Sequence, residues 1–186
     1  MLRALLFLLL MVAPLPALAA SWALLSDTKI EVLVPWRGLT VRIAFPKYGG
    51  LIEFDEKRPQ AAKARIDVWA GSAQTGLPPA DRMALSEQFL AADQYPIIRF
   101  DLDRLVLTSR STADIHGRIT LRDVTRPILF KAEVYRYGPS EADPDRFQAG
   151  FLLHGAIDRT DFGATGAPGD VPDVLRVEIR LDMIEK

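Results

Sequence analysis

The chain has two histidines, His116 and His154, and no cysteine. Any metal centre or histidine-assisted chemistry must therefore be built from these two rings and nearby carboxylates. Asp114 lies two residues before His116, and Asp158 lies four after His154. A zinc site needs three or four ligands gathered in space, and spacings of this kind arise often by chance. A Ser–His–Asp hydrolase is expected to show a nucleophile context such as G-x-S-x-G, and none occurs. The run Asp158–Arg159–Thr160–Asp161–Phe162–Gly163 is dense in special residues. Arg159 would serve there as an anion contact at a ligand mouth. Alternatively, the Asp and Thr side chains bond nearby backbone to end a strand, and Gly163 supplies a positive φ. The second reading accounts for more of the residue types. Asp81–Arg82 reads as an acid in a first helical turn, suited to the helix dipole, with an ion-pair neighbour. Trp22, Trp36 and Trp69 are scattered and read as packing residues.

The elements that must position these groups are mostly strands, because period-two alternation dominates. It runs through Thr28–Val34, Leu39–Phe45, Lys63–Ala70, Ile97–Asp103, Ala113–Arg122 and Phe147–Asp158. It is cleanest from Leu175 to Met183, and Leu51–Phe54, Leu105–Thr108 and Ile128–Tyr137 complete the set. Turn signals separate them: Gly49–Gly50 reads as a hairpin turn, as does Arg122–Asp123–Val124. Gly138–Pro139 opens a polar loop through Asp145, and Gly166–Pro172 belongs to a long loop before the last strand. Pro79–Ala92 differs, with Met83, Leu85, Phe89 and Leu90 as apolar positions, and reads as one or two short helices ended before Tyr95–Pro96. The expected fold is all-β: an antiparallel sheet closed as a barrel or folded as a sandwich, with one helical insert.

Residues 1–20 read as a cleaved secretory signal: Arg3, an apolar run from Ala4 to Ala13, then small residues at Ala17–Ala20. The run is too short to span a bilayer, which takes roughly 20 apolar residues. Residues 21–186 then form one exported domain. Removing the signal, whose one charge is Arg3, leaves 22 Lys+Arg against 24 Asp+Glu. That balance argues against a nucleic-acid binder, which needs a basic face. Without cysteine there are no disulfides, no thiolate nucleophile and no lipidated cysteine anchor, so stability must come from an apolar core.

The apolar strand faces carry almost no hydrogen-bonding side chains. Small residues (Ala64, Ala70, Gly117, Ala132, Ala149, Gly155) alternate with Phe45, Phe100, Phe130, Phe147 and Phe151. Such a lining suits either a packed barrel or an open one holding a long apolar ligand, since barrels of about eight strands occur in both forms. An aliphatic and aromatic wall recognises hydrocarbon. Each buried CH₂ contributes about 0.8 kcal/mol, so lipid affinity needs no polar motif.

Three segments together resemble the YceI-like family. Leu85–Ser86–Glu87–Gln88–Phe89–Leu90 followed by Gln94–Tyr95–Pro96–Ile97–Ile98–Arg99–Phe100 is similar to the family's "HL…FF/L…YP-x-I-x-F" region. Gly117–Arg118–Ile119–Thr120–Leu121–Arg122–Asp123–Val124–Thr125–Arg126–Pro127 resembles its "G-x-L-T-I-x-G-V-T-(K/R)-P" hairpin, and Ile157–Gly163 its "I-x-R-S-D-F-G" turn. Ile52–Asp55 with Pro59, and Gln74–Gly76 with Asp81, add weaker matches. The chain departs from the pattern at Asp123, where the family has Gly, at Ala84, where it has His, and in its first motif around Thr28–Val34. The resemblance implies an extended lipocalin-like antiparallel β-barrel in the bacterial periplasm, with a polyisoprenoid or related long-chain lipid in its interior.

The expected function is that of a periplasmic, non-catalytic lipid carrier without a cofactor. Its ligand-binding residues are Phe45, Ile66, Val68, Leu85, Phe89, Ile98, Phe100, Phe130, Ala132, Val134, Phe151 and Leu153, with Pro79–Ala92 as a lid. Its partner is a long-chain lipid; a transient membrane or membrane-protein contact and a homodimer are compatible with this. Two rivals are an enzyme or metal protein using His116 and His154, and a filled-barrel interaction module partnering a membrane redox protein.

Overall fold

A computed structural model describes residues 20–186. The expected signal therefore lies outside the described residues, except for Ala20. Ten strands follow: β1 (Ala20–Leu24), β2 (Lys29–Trp36), β3 (Leu39–Ala44), β4 (Tyr48–Phe54), β5 (Lys63–Trp69), β6 (Ile97–Leu107), β7 (Thr112–Leu121), β8 (Val124–Pro139), β9 (Phe147–Asp158) and β10 (Val174–Glu185). The one α-helix, α1 (Pro78–Leu85), lies between β5 and β6.

All neighbouring strands pair antiparallel, and eight close a barrel in the order β1-β4-β5-β6-β7-β8-β9-β10. Closure is made by β1 on the C-terminal end of β10, with Trp22 opposite Glu185 and Leu24 opposite Met183. The N-terminal half of β10 pairs instead with β2, which carries β3 on its far edge. Beyond β3 there is one bridge, Ala44 to Gln74.

Turn chemistry fixes the registers. Arg122 and Asp123 both take positive φ (52° and 58°), the two-residue geometry that matches the twist of the flanking strands. Arg37 and Gly38 do the same between β2 and β3. The expected turn at Gly49–Gly50 is absent. These residues lie within β4, and a Cβ on Gly50 would stand 2.2 Å from the Arg65 carbonyl oxygen, so this glycine allows close approach of β5. Leu105–Thr108 is not a separate strand; Leu105–Leu107 continue β6 past an irregularity between Leu102 and Arg104. Strand β8 runs on through Gly138–Pro139, and the polar loop begins one residue later. The Pro79–Ala92 segment forms a single helix, followed by turns in which Ala91 takes φ 47°.

The two ends of the barrel differ. The β2–β3, β5–β6, β7–β8 and β9–β10 connections gather at one end, under α1. The other end holds the β4–β5, β6–β7 and β8–β9 connections and the C-terminus. Its floor is a packed cluster of Trp22, Ile52, Ala149 and Met183. Trp22 meets Phe54 edge to face at 6.0 Å and donates from its indole nitrogen to the Phe54 carbonyl at 3.0 Å.

Candidate functional site

The inward faces enclose an apolar cavity of about 210 Å³. Nine of the twelve expected ligand-binding residues line it. Phe45, Val68 and Ile98 stand towards the capped end. Ile66, Phe100 and Phe130 stand at mid-height, and Ala132, Phe151 and Leu153 complete the wall. Phe100 and Phe130 meet edge to face at 5.9 Å.

Three residues expected in the site stand elsewhere. Leu85 packs against the cluster of Phe45, Val68 and Ala73, outside the cavity wall. Phe89 lines a second pocket of about 100 Å³ beneath α1. Val134 is half-buried opposite Phe151, immediately before an irregularity in β8, and the cavity stops short of it. Phe54, Leu105 and Leu121 line the cavity although they were left out of the expected set. Extending the period-two parity along β4 and β7 identifies Phe54 and Leu121. The shift in β6 hides Leu105, because it turns both Leu102 and Leu105 inward.

The small residues do not all make space. Ala64 and Ala132 line the cavity. A Cβ on Gly117 would stand 2.4 Å from the Phe100 ring, and one on Gly155 2.6 Å from the Phe130 ring. Both glycines let a phenyl ring lie back on the backbone, which keeps the cavity open indirectly. Ala149 is fully buried in the floor. Phe147, expected inside, is exposed against Tyr137 at 5.5 Å.

The cavity wall is aliphatic and aromatic, and among the described residues Lys63 is the one charged residue lining it. Lys63 stands at the rim, where its ammonium lies 3.3 Å from the Glu53 carboxylate on the outer face. Below it, the loop after β4 is tied by Asp55, which accepts from the Lys57 amide and the Arg58 guanidinium. These bonds hold the Asp55 carboxyl below its usual range, the Lys57 amide first. Nearby, burial and then a bond to the Glu56 carboxylate push the Tyr137 phenol up to about 12.

Arg159, Asp158 and Asp81 are occupied by bonds within the chain. Arg159 is only 3% exposed. It donates from Nε to the Pro172 carbonyl, from Nη1 to Ala164 and Gly166, and from Nη2 to Val171 and the Asp173 carboxylate. A guanidinium has five N–H donors, so none is left for a ligand. Asp158 accepts from the amide and hydroxyl of Thr160, which lowers its pKa, and Gly163 takes φ 74°. Asp81 accepts from the hydroxyl and amide of Thr75 at 2.7 and 2.5 Å. Thr75, rather than the expected partner Arg82, chiefly lowers its pKa. His116 pairs across to Leu129, and His154 to Lys131 and Glu178. Among the described residues no group of three or more His, Cys, Asp or Glu side chains is placed to hold a metal.

A family model described as the YceI-like domain matches residues 26–183. The chain belongs to the YceI-like family. A UPF0312 protein of Pseudomonas savastanoi pv. phaseolicola is 31% identical over 143 residues, which cover 76% of this chain and 72% of the relative. The Burkholderia cenocepacia BcnA structure superposes with a TM-score of 0.73 at 15% identity, covering 86% of this chain and 97% of that one. A polyisoprenoid binding domain from Saccharophagus degradans superposes with a TM-score of 0.65 at 11% identity, covering 90% and 98%. These structural likenesses support the YceI-like barrel fold. The YceI-like motif segments meet at the capped end, where Arg122 donates to the carbonyls of Phe89 at 3.1 Å and Gly163 at 2.5 Å. The motif residues there fasten the cap.

Proposed function

We propose that this YceI-like barrel is a non-catalytic carrier of a long apolar lipid, of the polyisoprenoid type, working in the periplasm after removal of residues 1–20. The observation that carries the reading is the cavity, whose wall offers a hydrocarbon chain apolar burial with Lys63 at the rim as its one charged lining residue. A structural neighbour described as a polyisoprenoid binding domain supports the ligand class, and the pattern of residues 1–20 supports export.

The cavity's size bears on the ligand. Its volume of about 210 Å³ lies below the ~300–1,000 Å³ of most small-molecule sites. The pocket beneath α1 shares Leu121 and Ile157 with it as walls. Rotation of these two side chains would join the pockets and lengthen the space open to a chain.

The test is native mass spectrometry of the chain purified from its own host, followed by extraction and identification of bound lipid. An isoprenoid or other long-chain adduct near one per chain is the expected result, with an N-terminus at Ala20 or Ser21. A bare polypeptide mass after gentle ionisation would overturn the carrier reading. Phe151→Asp places a carboxylate in the wall and is expected to abolish the adduct in a variant that still folds, because an unpaired buried charge is strongly unfavourable.

A further inference from the structure

Resting on the carrier reading, we propose that the lipid enters through the side of the barrel, between β5 and β6. Its anionic head group then stays outside against Lys63. Strands β5 and β6 pair only from Arg65–Asp101 to Trp69–Ile97. Beyond the Arg65–Asp101 rung there are no further rungs, and the turn Pro59–Ala61 that precedes β5 lies against β6 instead. Lys63 pairs with Glu53 and Ala64 with Ile52, both on β4, while Arg104–Leu107 pair with β7 alone. The shift in β6 falls at this point, leaving Asp103 and Arg104 exposed while Leu102 and Leu105 line the cavity. The cavity reaches both lips of the split: Ala62, Lys63 and Ala64 on one side, Leu102 and Leu105 on the other.

The cover over the split is a single short turn, anchored at its start by Asp55 and Arg58. It is the three-residue 3-10 turn Pro59–Ala61, whose backbone bonds are local, from Ala61 to Arg58 and from Ala62 to Pro59. Val106 and Leu107, 44% and 55% exposed, offer an apolar approach beside it. Both ends of the barrel are more firmly closed. The floor is the Trp22–Met183 cluster. The cap is held by the five bonds of Arg159, the two of Arg122, and the Gly166 amide donating to the Gln88 carbonyl at 2.9 Å.

Away from Lys63 the wall is aliphatic and aromatic and cannot solvate a head group, so the tail goes in and the head stays at the rim. Lys63 is the charged residue there, and its side chain is 78% exposed. Its ion pair with Glu53 is of the exposed kind that exchanges at little cost. The chemistry it would recognise is an oxyanion on a single long chain, whether phosphate or carboxylate.

The test uses the mature chain and three probes: farnesyl phosphate, palmitate and neutral farnesol. Affinities come from titration calorimetry and rates from rapid mixing followed by native mass spectrometry, a readout that the added tryptophans do not alter. Ala62→Trp fills the split and is expected to slow both association and dissociation about tenfold for every bound probe, since an entry barrier acts on both rates, whereas a lost contact with the cavity wall would act on dissociation alone. Leu77→Trp, at an exposed position beside α1 at the capped end and outside both pockets, is expected to leave both rates at the wild-type value. Lys63→Glu should weaken the two anions about fivefold and leave farnesol unchanged, with Lys63→Arg retaining wild-type affinity. Preference for one anion identifies the head group as phosphate or carboxylate and supports the proposal equally. Unchanged rates in a folded Ala62→Trp variant, or slowing by Leu77→Trp instead, would overturn the side entry. Equal weakening of farnesol by Lys63→Glu, or wild-type affinity for farnesol equal to that for the anions, would overturn the head-group contact. If the wild-type chain binds none of the three, the carrier reading itself fails and takes the portal with it.

Discussion

The capped end of the barrel and the side split at the other end solve opposite problems. At the cap, polar groups converge on backbone carbonyls: Arg159 donates five bonds and Arg122 two, and Asp158 and Asp81 are each held by a threonine. At the split, the β5–β6 rungs end, the cavity wall on both sides is largely apolar, and the short turn Pro59–Ala61 lies across the position. The polar motif residues at the cap, Arg122 and Arg159 among them, report on how the barrel is fastened. The apolar residues of the same segments, such as Ile98, Phe100, Leu121 and Ile157, line the cavity.

This contrast can be broken at the cap. Arg159→Met removes every donor from five acceptors at once. It is expected to cost about 3–5 kcal/mol, the range for breaking a buried ionic network, as read by urea unfolding. If the ends are independent, lipid exchange rates in the folded fraction stay at the wild-type value. Leu121→Ala sharpens the contrast from within. It is expected to destabilise the empty protein by about 2–5 kcal/mol, as for other large-to-small core changes. It also merges the two pockets, so part of that loss returns on binding a longer chain, measurable as a larger ligand-induced rise in Tm than for wild type.

The smallest effect is on acid stability. Asp81 and Asp158 titrate lower in the folded chain than in the unfolded one. The stability they add is complete above the unfolded value of ~3.9 and is lost as pH falls through the folded value. Asp81→Asn and Asp158→Asn are each expected to flatten the fall of Tm between about pH 5 and pH 2, as followed by circular dichroism. A slope identical to wild type would show that neither carboxylate supports the cap.

Period-two parity made most of the barrel readable: nine lining residues follow from which side of each strand they occupy. The misreadings share a physical origin. Parity assumes regular strands, and the shifts at Leu102–Arg104 and before Arg136 change which residues face inward or where the cavity stops. That is why Leu105 was missed and Val134 included. Gly50 has the composition of a turn but serves close strand approach, a contact with Arg65 that local sequence cannot show. The Asp158–Gly163 run was legible as a backbone device because its chemistry is local. The remaining partners of Arg159, up to Asp173, lie across the next loop. The split itself leaves no mark in the sequence, because it is defined by strand pairings that stop.

One feature of the closure concerns time rather than shape. The barrel shuts when Met183–Glu185 meet Trp22–Leu24, the last strand in the chain meeting the first described one. During synthesis, every strand from β1 to β9 exists before the strand that joins the sheet into a ring. Such long-range pairing is slow to form. Until it does, β1 lacks its β10 neighbour and the apolar lining stays open to whatever it meets. A lipid present at that moment would be enclosed as the ring shuts, so this barrel's first ligand need not use the route taken by later ones.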